Sequence, residues 1–131
     1  MGGREAAISM VKIISLEELK KLIGSKGKYV LVDVREKEEL KYGVIPTAHN
    51  IPFSELKEAL VMDPDEFKKR YGFPRFMRND NVIFYCRMGH RSAKATQHAL
   101  DKGFANAKHF KGSVWEWSEI DPKVKRYGPG I

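Results

Sequence analysis

Cysteine is almost absent: Cys86 is the only one in 131 residues. A single thiol excludes an intramolecular disulfide, a CxxC redox pair and a multi-cysteine zinc site. One sulfur is left free for chemistry. Long apolar runs are missing as well. The longest, residues 29–32 and 82–86, are far too short to span a bilayer. No apolar region of secretory type follows the N-terminus. Met1-Gly2-Gly3-Arg4-Glu5-Ala6 approaches a myristoylation signal, but Ala6 stands where Ser or Thr is wanted. These absences predict a cytoplasmic protein with no membrane partner. The histidines, His49, His90, His98 and His109, show no ligand spacing and have no second cysteine to assist them. Neither a metal nor another cofactor is expected.

A divider is also lacking. No repeat, low-complexity tract or Pro/Gly linker interrupts the chain, and its length fits one domain. With 42% hydrophobic and 31% charged residues, it has enough apolar material to bury a core. The expected organisation is a flexible N-terminus over 1–10, one domain over 11–120 and a tail over 121–131, as a monomer.

Ser15-Leu16-Glu17-Glu18 reads as a capping box opening a short helix, with Leu16, Leu19 and Ile23 as its apolar stripe and Gly24 as its stop. In residues 29–34 the apolar side chains do not alternate with polar ones, which predicts a strand buried on both faces. Residues 36–41 favour a short surface helix ending near Gly43. Asp63-Pro64 begins another, with Asp63 as N-cap. Residues 82–85 form a second buried strand, 92–102 a helix ended by Gly103, 107–110 one more strand, and 114–120 a last short helix. Buried strands alternating with helices give an α/β fold, a central parallel sheet with helices on both faces.

The chemistry concentrates in Phe84-Tyr85-Cys86-Arg87-Met88-Gly89-His90-Arg91-Ser92, a strand, a loop and a helix start. Ligands of open α/β sheets bind beyond the carboxyl ends of the strands, where Cys86 falls. Backbone N–H groups of a tight loop can converge there on one anion, and the helix dipole adds to the attraction. The same field, reinforced by Arg87 and Arg91, favours a nucleophilic thiolate. A cysteine after an apolar strand is often just a small buried hydrophobe. The Arg, Gly, His, Arg and Ser that follow are poor core material, and they favour the reactive reading.

Four blocks in order resemble a rhodanese domain. They are Leu31-Val32-Asp33-Val34-Arg35-Glu36, the stretch Gly43-Val44-Ile45-Pro46-Thr47-Ala48-His49-Asn50-Ile51-Pro52, the Cys86 loop, and Phe110-Lys111-Gly112-Ser113-Val114-Trp115-Glu116-Trp117. The segment Met62-Asp63-Pro64-Asp65-Glu66-Phe67 and the pair Met88-Gly89 further resemble the animal single-domain thiosulfate–glutathione sulfurtransferases. The second block departs from the family pattern, with Val44 and Thr47 where a His and a Gly are usual. It is a structural turn, so the departure bears little on catalysis. The tail from Asp121 matches nothing.

The resemblance implies a sulfurtransferase in which Cys86 takes the outer sulfur of thiosulfate, expels sulfite and carries a persulfide. A thiol such as glutathione then accepts the sulfur. Arg87, Met88, Gly89, His90 and Arg91 are implied to bind substrate. The two arginines would hold the anionic donor, Gly89 would let the loop curl, and His90 would tune the thiolate or touch the acceptor. Ser92 would cap the following helix. Asp33 and Arg35 would give structural support, with Arg35 bracing neighbouring loops through an ion pair; an ordinary surface arginine is the alternative.

Three rivals remain open. A phosphatase or arsenate reductase of the same fold uses Cys, five residues, then Arg; here four residues separate Cys86 from Arg91, a tighter cradle suited to one sulfur. A non-catalytic binding module of this family commonly lacks the cysteine. Nucleic-acid binding is suggested by residues 68–78, where basic and aromatic side chains interleave; the plainer expectation is an amphipathic helix with Phe67, Tyr71 and Phe73 in the core and no nucleic-acid partner. The formal charge of +7 fits the small-anion reading. Residues 68–78 carry five basic side chains and residues 86–94 three, neither with an acidic one, and without these eight the net charge is −1.

Overall fold

Ser15 opens the first helix as its sequence requires. In the computed structural model, which describes residues 11–128, its hydroxyl accepts the Glu18 N–H at 3.1 Å, and the Glu18 carboxylate accepts the Ser15 N–H at 2.9 Å. The expected flexible segment 1–10 lies outside the described residues. Helix α1 spans Leu16–Ile23 and strand β1 Val30–Asp33. A 3-10 helix over Lys37–Tyr42 then leads to β2, His49–Asn50. Helices α2, Phe53–Leu60, and α3, Pro64–Tyr71, precede β3, Val82–Tyr85. Helix α4, His90–Asp101, strand β4, Lys108–His109, and helix α5, Ser113–Trp117, complete the fold.

The strands form one parallel sheet in the order β2-β1-β3-β4. Because side chains alternate across a strand, β3 feeds two cores. Val82 and Phe84 join Val32, Leu56, Phe67 and Ala95 on the face covered by α2, α3 and α4. Ile83 and Tyr85 join Leu31, Leu19, Val114 and Trp117 on the face covered by α1 and α5. Cys86 continues the phase of Phe84 and belongs to the first core. A continuous apolar run was therefore the right mark of a strand covered on both sides.

Three differences from expectation have local causes. Strand β2 is two residues long, too short to leave a pattern, and α2 hides behind Pro52, which occupies its N-cap. Helix α4 begins at His90 rather than Ser92, because Gly89 adopts φ +99° and turns the chain into the helix there. In the basic–aromatic segment the helix stops at Tyr71, where left-handed Gly72 ends it. Phe73 and Phe76 beyond it are buried, and the rings of Phe67, Phe73, Phe76 and Phe104 pack edge to face at 5.1–6.0 Å. These rings are spent on the core, while Lys68 and Lys69 stay exposed.

The tail folds back onto the domain. Val124 is buried among α1, β1 and α5 side chains, and the Lys125 N–H bonds to the Tyr42 carbonyl at 2.9 Å. This return passes against Gly43, whose φ is +106°, and a β-carbon there would collide with the Lys123 carbonyl. Gly43→Ala is expected to lower stability by about 2 kcal/mol or more, from left-handed strain plus the collision. Urea denaturation measures it; an unchanged midpoint would mean that the tail does not seat against this turn.

Candidate active site

Strand β3 delivers Cys86 to the carboxyl end of the sheet, at the centre of the loop that joins it to α4. The sulfur is buried, and three groups surround it. The Gly89 N–H points at Sγ from 3.1 Å and the Ser92 N–H from 3.4 Å, while the Ser92 hydroxyl lies 3.5 Å away. Amides so placed offer donors to an anionic atom at this position. Gly89 is required twice over: its φ is +99°, and a β-carbon would sit 2.5 Å from the Lys111 carbonyl oxygen.

Helix α5 pins the loop from the other side. The Cys86 N–H donates to the Ser113 hydroxyl at 3.2 Å, the Val114 N–H to the Cys86 carbonyl at 3.1 Å, and the Trp115 N–H to the Arg87 carbonyl at 3.0 Å. Three bonds across a gap of nearly thirty residues fix where the thiol sits.

Ser92 does not cap its helix. The helix already starts at His90, so the Ser92 side chain lies within the first turn, 3.3 Å from the Gly89 carbonyl and 3.0 Å from His109 Nδ1. His109 is buried. Burial, aided by the charge of Lys111, pushes it down to about 4, so it is neutral near pH 7. Its position beside Ser92 left no mark in the sequence, because β4 reaches the site only through its pairing with β3.

The arginines of the loop do different things. Arg91 forms a two-pronged bond to Glu39, at 2.6 and 3.0 Å. Its guanidinium is held above its ordinary value, first by those bonds and, among lesser causes, by the charge of the Cys86 sulfur. Arg87 is buried between two rings, 5.3 Å from Trp115 and 5.1 Å from Tyr127. Met88 is half-buried and His90 exposed. Met88 edges a groove of about 480 Å³ whose lining includes Ile13, Leu16, Lys111, Trp115 and Arg126. A larger cavity of about 720 Å³ between α2 and α4, lined by Lys57, Lys94 and His98 among others, shares no residue with the segment 86–92.

Arg35 braces the surrounding loops. It and Asp33 are both 0% exposed and pair at 2.7 Å. Its remaining donors reach the Glu39 carbonyl, the Gly43 carbonyl and the Tyr127 hydroxyl at 3.3, 2.8 and 3.0 Å. Burial opposes its charge, but the bonds to Asp33 and Tyr127 outweigh that, and its titration is raised. Glu39 and Tyr127 were missed by sequence reasoning. Glu39 sits in a Glu-rich stretch that reads as solvated surface, and Tyr127 lies in a tail without a recognisable pattern.

Burial raises Glu39, but bonds from Arg91, the Glu36 backbone and Tyr127 more than compensate, and it falls from 4.5 to about 2. A carboxyl held lower in the folded state stabilises the fold above its unfolded value and ceases to do so as the pH falls through the folded one. Stability is therefore expected to decline between pH 4.5 and about 2 partly on account of Glu39. Glu39→Gln should flatten that interval, as read by urea unfolding at stepped pH; an unaltered slope would show that the pair with Arg91 is not maintained in solution.

Comparison with known proteins agrees with this geometry. The family model of the rhodanese-like domain matches residues 15–120. The human thiosulfate:glutathione sulfurtransferase is 41% identical over 107 residues, covering 81% of this chain and 92% of that one. The thiosulfate sulfurtransferase RDL2 of Saccharomyces cerevisiae, named mitochondrial, is 32% identical over 118 residues, 86% of this chain and 79% of its own. Among solved structures, the human single-domain sulfurtransferase TSTD1 superposes with a TM-score of 0.79 at 40% identity, over 83% of this chain and 96% of that one. Sheet order, the placement of one cysteine between a strand end and a helix start, and a match across most of the length make this chain a member of the rhodanese-like domain family.

Proposed function

We propose that the protein is a sulfurtransferase that moves the outer sulfur of thiosulfate to a thiol acceptor, glutathione or a similar thiol, through a persulfide on Cys86. The observation that carries this reading is the Cys86 sulfur facing the amides of Gly89 and Ser92 in a cationic loop. A single sulfur atom fits such a cradle, and each amide offers it a donor. The names of the similar proteins point to the same donor and acceptor.

In the first half-reaction the Cys86 thiolate attacks the outer sulfur of thiosulfate. The S–S bond of the donor breaks, and sulfite leaves with the bonding electron pair. The terminal sulfur of the new persulfide carries the negative charge, and the loop amides stabilise it. Arg87 and Arg91 supply the positive field that draws in the dianion and steadies the leaving sulfite. Arg91 does this while its fork stays on Glu39, so it acts on the anion through its charge. In the second half-reaction the acceptor thiolate attacks the outer sulfur of the persulfide, and the Cys86 thiolate departs. In this reading the half-buried Met88 and the exposed His90 contact the acceptor. His109 stays neutral and orients the Ser92 hydroxyl beside the sulfur. A monomer in the cytoplasm, acting without nucleic acid or membrane, belongs to the same reading. The mitochondrial name of one relative makes that organelle the competing location, and among the described residues no helix is long and apolar enough to cross a membrane.

Two measurements test the reading. Intact mass after thiosulfate treatment should increase by one sulfur on Cys86, and addition of glutathione should remove it. Cys86→Ser should release no sulfite in the coupled assay. Equal turnover by the variant would refute the nucleophile, and phosphoester hydrolysis without a sulfur adduct would favour the phosphatase instead.

A further inference from the structure

Tyr127 lies beyond the residues that match the family model, yet its side chain reaches the charged groups that flank the site. Its hydroxyl accepts a bond from Arg35 Nη1 at 3.0 Å and donates one to Glu39 Oε2 at 2.8 Å. That single oxygen therefore joins two ion pairs, Asp33–Arg35 and Glu39–Arg91. Its ring stacks on Tyr42 with centroids 4.1 Å apart and planes 6° from parallel. The same ring and Trp115 flank the Arg87 guanidinium.

We infer that Tyr127 is a positioning residue for the cationic loop, its hydroxyl aligning Arg91 through Glu39 and its ring holding Arg87, so that both charges face an anion arriving at Cys86. The inference rests on the sulfur-transfer reading of that loop. The carboxylate that grips Arg91 could rotate about its last torsion, which is broad for glutamate. Three groups prevent that: the Arg91 fork, the Glu36 N–H at 2.9 Å and the Tyr127 hydroxyl. Burial pushes the phenol up to about 12 against the opposing bond and charge of Arg35, with the bond and charge of Glu39 adding to the rise, so it remains a donor throughout the working pH range. Arg87 depends on the ring in another way. A planar guanidinium gains from an aromatic face on either side, and with the tail withdrawn only Trp115 would remain of the two flanking rings.

The experiment compares the full-length chain with Tyr127→Phe, which keeps the ring and removes the hydroxyl, and with Tyr127→Ala. The first readout is KM for thiosulfate set against kcat. The second is the ratio of Cys86 alkylation rates by iodoacetate and by iodoacetamide, one anionic and one neutral. Because Cys86 is the only cysteine, both rates report the same sulfur, and the ratio cancels its ionisation. Tyr127→Phe is expected to raise KM about three- to tenfold, a larger effect than on kcat, and to lower the ratio by a similar factor, the scale of one ordinary hydrogen bond. Tyr127→Ala should move both further. An unchanged ratio in Tyr127→Phe overturns the inference whatever happens to kcat, and it does so even if Tyr127→Ala does not fold. If the unaltered chain transfers no sulfur while the ratio still falls in Tyr127→Phe, the proposed function fails and the positioning role survives. Normal sulfur transfer with neither readout moved is the reverse result.

Discussion

A guanidinium shut off from water just beyond β1 organises the charged groups near the thiol. Arg35 cannot be buried cheaply: a charge that loses its hydration must find partners for its donors or the fold loses several kcal/mol. Here Asp33 accepts through both carboxylate oxygens, and the remaining donors go to two carbonyls and a phenol. Those acceptors belong to the 3-10 helix, the turn at Gly43 and the C-terminal tail. Satisfying one side chain thus draws all three to one point, where the Lys125–Tyr42 backbone bond and the stacked Tyr42 and Tyr127 rings also join the tail to the 3-10 helix. Asn50 tightens the arrangement by donating to the backbone carbonyls of both Asp33 and Arg35, which ties β2 to the same centre.

From that centre the order spreads to the thiol. The 3-10 helix presents Glu39, Glu39 holds Arg91, and Arg91 lies beside the Cys86 loop. On the other side, the amides of α5 take the loop carbonyls, and Ser113 takes the Cys86 N–H. The sulfur is therefore placed by backbone geometry and the charges around it by a chain of ion pairs. Backbone and side chains act on different aspects of the site. The first decides where the thiol sits, and the second decides what charge its surroundings carry.

Legibility in the sequence followed how local each signal was. The capping box at Ser15, the Asp63-Pro64 helix start and the doubly buried strands at 30–33 and 82–85 depend on neighbours within a few residues, and they were readable. The Cys86 loop was readable because strand, thiol, glycine and helix start are contiguous. Strand β2 was not, since two residues carry no period. The partnerships Arg91–Glu39, Ser92–His109 and Arg35–Tyr127 join residues 52, 17 and 92 positions apart. Only the folded sheet brings them together. Ser92 shows the limit from another side: a serine near a helix start suggests a cap, but Gly89 had already begun the helix.

The return of the tail to Arg35 has a meaning for how the protein is made. A ribosome emits residues 33, 35 and 39 well before residue 127, and larger chains tend to organise as they emerge. Until Tyr127 is out, the bond acceptor it offers Arg35 and the donor it offers Glu39 are missing. The bonds from residues 113–115 to the cysteine loop are missing for most of that time too. The Cys86 thiol, emitted ahead of all these partners, therefore waits in an unfinished setting. The charged surroundings of that thiol are complete only once residue 127 has emerged and returned to Arg35 and Glu39.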